Sequence, residues 1–183
     1  MAHINLEKDV PGIRSLVMYR PDTGKPLYEL AQVLLREDSP LSQAERELIA
    51  TYVSFLNECK FCMNSHAAAA RYLYKDEAQT VDLALEDYQN APISDKLKAL
   101  LTIASNVQKD ARTVSDENVN LARSFGATDR DIHDTVLIAA TFCMFNRYVD
   151  GLATLTPTDL DAYAVMGERM GKLGYVPPKP IKK

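Results

Sequence analysis

Along most of this chain apolar residues recur at intervals of three and four, the period of an amphipathic helix. Residues 1–24 lie outside that pattern; with Pro11-Gly12 and the turn-like run Pro21-Asp22-Thr23-Gly24 they read as irregular. Leu27, Leu30, Val33 and Leu34 then define a short helix over 26–36, stopped by Asp38-Ser39-Pro40. Ser42-Gln43-Ala44-Glu45 is a capping box opening a helix to about Leu56, with Leu48, Ile49, Tyr52, Val53 and Leu56 on its apolar face. Asn57 is placed to cap the next helix, which runs to about Tyr74. A short helix from Lys75 to Leu85 follows, and Pro92 marks a break. Further helices are expected over 94–109, 115–124 (closing on Gly126), 129–153 (stopped by Pro157) and 158–172. The expectation is an all-α single domain over 1–183, with a flexible N-terminal stretch of about ten residues and an extended tail over 175–183.

A faint repeat at an offset of 52 pairs Ser42, Leu48 and Arg71 with Ser94, Leu100 and Arg123. It suggests two related helical halves. In the second copy Ala111, Val114 and Asn118 stand where the first has Cys59, Cys62 and His66, so only one half carries chemistry.

Composition narrows the function. The chain has 183 residues, 46 % of them apolar, with a net charge of −4 and no Trp. That is long enough to bury a core without disulfides or metal, and the acidic balance gives no reason to expect nucleic acid. The first residues carry charge early and no apolar core of a signal sequence, and no run is long enough to cross a bilayer, so a cytoplasmic protein with no membrane partner is expected. Three cysteines in a reducing compartment are not a disulfide scaffold; a C-x-x-C there is redox-active or metal-binding.

That pair is the run Cys59-Lys60-Phe61-Cys62-Met63-Asn64-Ser65-His66. On one helix, Cys59, Cys62 and His66 fall within an arc of roughly 60°. Cα atoms three residues apart are about 5 Å apart, within disulfide range. Cys59 is expected in the first helical turn after Asn57, where free N–H groups favour a thiolate. Cys62 is expected deeper, beyond most of that effect, but with His66 four residues on to accept its proton. The spacing therefore assigns Cys62 as nucleophile and Cys59 as the thiol that closes the disulfide. A carboxylate should orient His66; Glu45, Glu47 and Glu58 are all candidates.

The spacing Glu47, eleven residues, Cys59, two residues, Cys62, three residues, His66 resembles the core motif of the AhpD-like alkylhydroperoxidases, within the carboxymuconolactone decarboxylase superfamily. The stretches 41–50, Val53-Ser54, 57–62, Phe145-Asn146-Arg147 and Gly174-Tyr175 look like its peroxidase-related branch, and the resemblance runs over roughly 10–176. It implies an AhpD-like helical fold, homo-oligomers (dimer, trimer or hexamer) and a cysteine-based peroxidase acting on alkyl hydroperoxides. It selects Glu47 as the carboxylate behind His66. It implies that Cys62 is oxidised to a sulfenic acid, that Cys59 resolves it, and that a lipoyl or thioredoxin-like dithiol restores the thiols. No cofactor and no metal are implied. The founding pattern has a histidine between the cysteines where this chain has Phe61, which is expected to line an apolar entrance.

Rival readings are a dithiol that passes electrons between proteins with little peroxide turnover, a zinc-stabilised or purely structural oligomer, and a decarboxylase-type enzyme, which has no use for a C-x-x-C. Cys143 reads as a core thiol and His133 as a surface histidine. Arg147 reads as an ion-pair partner of Asp150 or Glu47, with contact to a substrate as the alternative, and Ala67-Ala68-Ala69-Ala70 as a close helix crossing.

Overall fold

The computed structural model describes residues 1–175, which form nine α-helices and no strand. These are α1 (Ile13–Tyr19), α2 (Pro21–Arg36), α3 (Gln43–Leu56), α4 (Lys60–Tyr74), α5 (Gln79–Asp87), α6 (Asp95–Asp110), α7 (Asp116–Ser124), α8 (Asp129–Gly151) and α9 (Leu160–Leu173). The expected all-α fold is present. Of the tail expected over 175–183, residues 176–183 lie outside the described residues.

Caps set most of the boundaries. Ser42 and Glu45 form the expected box at α3, and Ser115/Asn118 and Thr128/Asp131 do the same at α7 and α8. Ser94 caps α6 through the Leu97 N–H. Thus Ser42 and Ser94, paired in the sequence repeat, each start a helix; opposite α4, however, the second copy has only a 3-10 turn (Ala111–Thr113) and the short α7.

The start of the chain differs from expectation. Pro21 is the first residue of α2 and Asp22 lies in its first turn, so the supposed turn is a helix N-terminus. Gly24 lets α2 cross α1: a Cβ there would sit 2.8 Å from the Val17 Cα. The first residues are also tied down, with His3 N–H bonded to Leu152 O and Gly12 N–H to Leu155 O, each at 3.0 Å.

Helix α3 is the centre of the molecule. Ten of its residues, Ala44 through Ser54 except Glu45, are buried, and it packs against α4, α6 and α8. Arg46 is buried too, and its guanidinium ties the end of α2 by hydrogen bonds to Leu34 O and Glu37 O, both 2.9 Å. The four alanines of α4 do mark a close crossing. Gly167 of α9 lies against Ala68, so near that a Cβ on it would meet the Ala68 carbonyl carbon at 2.5 Å.

Candidate active site

The link between α3 and α4 places the cysteines. Asn57 ends α3 instead of starting α4. Glu58 turns left-handed (φ 57), its N–H bonding Phe55 O, and Cys59 N–H bonds Ser54 O. This is a Schellman closure built on a glutamate where glycine is usual, a conformation costing about 1–2 kcal/mol. Asn57 instead knits α3 to α6 and α8: its Nδ2 donates to Asn146 Oδ1 (2.8 Å), and its Oδ1 accepts from Gln108 (3.0 Å).

The consequence for the thiols corrects the sequence reading. Cys59 is the N-cap of α4, with extended backbone (φ −77, ψ 92), so it leaves the helix face that Cys62 and His66 share. Cys62 lies in the first turn of α4, and its own backbone N–H is directed at the Cys59 sulfur. Cys59 is completely buried among Leu16, Val149 and Tyr163, and its Sγ–H reaches Asp150 Oδ1 at 3.4 Å. The two thiols are close enough to hydrogen-bond, and that contact, then burial and the Cys62 and Asp150 charges, push the Cys59 thiol far up. Cys62 instead lines a largely apolar cavity of about 80 Å³ together with Phe61, Ser65, His66, Phe142 and Tyr175. Phe61 thus does line the cavity, its ring lying over Gly12.

Behind His66 is a buried polar network. His66 Nδ1 meets Glu47 Oε2 at 2.7 Å. Glu47 is completely buried, and its other oxygen accepts from the Arg36 guanidinium and from the Tyr175 hydroxyl, each at 2.6 Å. Burial alone would push this carboxyl up; His66, Arg36 and Tyr175 together outweigh it and hold it below the ordinary carboxylate value. The imidazole is clamped edge-on by Phe142 (centroids 4.5 Å apart) and nearly parallel to the Tyr175 ring (6.0 Å, 13°). With Nδ1 donating to Glu47, Nε2 is left as the basic nitrogen. No hydrogen bond joins Cys62 to His66; they meet as neighbours in the cavity wall.

Glu47, Cys59, Cys62 and His66 are therefore brought together, and Glu45 is absorbed by the cap of α3. Two members were missed in the sequence. Arg36 also bonds Leu35 O (2.7 Å) and Met170 O, and covers the Tyr175 ring at 5.0 Å. Tyr175 was assigned to the extended tail, yet its N–H bonds Gln32 Oε1 at 2.9 Å and its hydroxyl reaches Glu47. Burial, with the Glu47 charge beside it, pushes the phenol well above its ordinary value, so it stays a donor. The Gly174-Tyr175 pair within the family resemblance was the one signal pointing to it. Among the described residues Arg147 bonds Cys143 O and pairs with neither Asp150 nor Glu47, and His133 pairs with Asp134 at the surface. Cys143 is partly buried, accepting weakly from Asn57. Among the described residues, no three His, Cys, Asp or Glu side chains are grouped to hold a metal, and no helix is long and apolar enough to cross a membrane.

Residues 21–83 match the carboxymuconolactone decarboxylase family. That segment holds Arg36, Glu47, Cys59, Cys62 and His66, but not Tyr175. The fold is similar to the AhpD core of an uncharacterised peroxidase-related protein from Ralstonia eutropha JMP134, with a TM-score of 0.76, 28% identity, and 87% of this chain and 82% of that one covered. It is equally similar to an uncharacterised peroxidase-related protein from Silicibacter sp. TM1040 (TM-score 0.76, 27% identity, 85% and 79% covered). A protein of unknown function from Agrobacterium tumefaciens, 20% identical, shares the fold (TM-score 0.66, 81% and 99% covered). No curated protein matches the sequence. Over residues 21–83 the chain thus matches the carboxymuconolactone decarboxylase family, and its helical fold is similar to that of the AhpD-like proteins.

Proposed function

We propose that the protein is a cysteine-based peroxidase that reduces organic hydroperoxides by a dithiol–disulfide cycle at Cys59 and Cys62. The observation that carries this is the asymmetry of the pair. Cys62 lines the apolar cavity in the first turn of α4 beside a histidine held by a buried carboxylate, whereas Cys59 is sealed beneath it. His66 Nε2 takes the Cys62 proton through a bridging water. The thiolate sulfur attacks the outer peroxide oxygen and the O–O bond breaks. Cys62 becomes a sulfenic acid and the substrate leaves as an alcohol, protonated from His66. Cys59 then attacks the Cys62 sulfur; the S–S bond forms and water leaves. A lipoyl or thioredoxin-like dithiol returns two electrons and two protons. The cycle runs in the reducing cytoplasm, on a homo-oligomer.

Arg36, Glu47 and Tyr175 are positioning residues, since they reach the chemistry through His66. The test is titration of the reduced protein with one equivalent of cumene hydroperoxide, followed by thiol counting and peptide mapping. Loss of two thiols per chain with a Cys59–Cys62 bridge is expected. If Cys62→Ser consumes hydroperoxide at the parent rate, the assignment is wrong; if the parent protein does not consume it at all, the peroxidase reading fails.

A further inference from the structure

The cavity that receives Cys62 and His66 is not uniformly apolar. Arg14 of α1, Tyr28 of α2 and Arg169 of α9 line it together, amid Ile13, Leu27 and Met166. Tyr28 is buried, and the charges of both arginines reach its hydroxyl. Among the described residues Arg14 makes no hydrogen bond and no ion pair, and its Nε is buried without a partner. A buried guanidinium N–H with nothing to donate to is costly in a folded protein. In a chain whose net charge is −4, a guanidinium N–H left without an acceptor in the wall of an apolar cavity calls for an anion that supplies it.

We infer that the cavity takes a carboxylate-bearing substrate: an organic hydroperoxide with an apolar body against Phe142 and Phe145 and its carboxylate on Arg14, beside Arg169. The planar guanidinium suits a planar carboxylate, and Tyr28 adds a hydroxyl donor. This rests on the peroxidase reading for the chemistry, which is unchanged: the peroxide oxygen goes to Cys62 and the alcohol leaves. Carboxylate recognition itself concerns binding alone. Arg14 is then a specificity-determining residue.

The test compares 4-(2-hydroperoxypropan-2-yl)benzoate with cumene hydroperoxide, which has the same body without the carboxylate. The parent protein should favour the carboxylate in kcat/KM by about tenfold or more, the range of one charge-assisted contact. Arg14→Gln should bring the ratio close to one, and Arg14→Lys should restore part of it. An equal ratio in parent and Arg14→Gln overturns the inference. Calorimetric binding of unreactive 4-isopropylbenzoate separates the two ideas. Binding to the parent that weakens at least tenfold in Arg14→Gln supports the carboxylate site even if no hydroperoxide is turned over. Equal or undetectable binding to both overturns it even if hydroperoxides are reduced.

Discussion

Replacing Glu47 by Gln removes one charge while keeping the shape of a completely buried side chain. Two of its three partners are donors to one oxygen, Arg36 and Tyr175 at 2.6 Å, and the third is His66 at 2.7 Å. The Arg36 side chain is only 5% exposed, so the substitution strands a buried cation. Breaking one side of such a pair costs about 3–5 kcal/mol. The amide oxygen still accepts one hydrogen bond, which places the expected loss near the lower bound, about 3 kcal/mol. For a chain of this size that lowers Tm by roughly 6–12 °C. Equilibrium unfolding in urea, with an unchanged m-value, measures it. Glu45→Gln, in the capping box of the same helix, is the control and should stay within about 0.5 kcal/mol. A loss under about 1 kcal/mol for Glu47→Gln would mean that the network is not holding a charged carboxylate. The pH dependence has a definite sign. Glu47 is held below its unfolded value, so its contribution is complete above the unfolded carboxylate pKa of about 4.3 and disappears as pH falls through the lower, folded value. The parent should therefore lose stability below about pH 4 more steeply than Glu47→Gln. A structural role alone would not alter thiol chemistry. The rate of Cys62 alkylation at a fixed pH of about 7 should also fall in the variant, because His66 loses the carboxylate that orients it.

Tyr175→Phe removes one donor to the Glu47 carboxylate and should cost about 1.5–3 kcal/mol by urea unfolding; a neutral result would refute the packing of this residue against the site. Limited alkylation at pH 8 followed by peptide mapping should modify Cys62 well before Cys59, since only Cys62 lines the cavity and the Cys59 thiol is pushed up by its neighbours and burial; the reverse order would contradict the assignment. Gly167→Val drives a side chain into the backbone of α4 at Ala68 and should destabilise by about 1–3 kcal/mol or more, with faster amide exchange in α9; retained stability would deny the close crossing.

Most helices were legible because their signals are local. The boxes at Ser42 and Thr128 and the apolar periodicity of α3 and α6 are written in adjacent residues. The misreadings have physical causes. Pro21-Asp22 serves a helix start as readily as a turn, and nothing local decides between them. Asn57 is a good N-cap by type, but side-chain bonds from α6 and α8 hold it as the end of α3, and that shift of two residues moves Cys59 off the helix. Glu47 was separable from Glu45 only by the family spacing, because burial is a tertiary property. Arg36 was invisible: its position at a helix end looks like an ordinary exposed cation complementing the dipole.

The polar network joins residues remote in sequence: Tyr175 meets Glu47 across 128 positions, and His66 meets Tyr175 across 109. Cys59 and Cys62, by contrast, are neighbours whatever the rest of the chain is doing. Contacts of such long range carry the loop-closure entropy of the intervening helices. A chain folded only as far as α8 would already hold both thiols but would lack the phenol over His66 and the arginine clasp that Met170 completes. The two sulfur atoms are thus set by a local stretch of chain, whereas the polar setting around His66 draws on both ends of the fold.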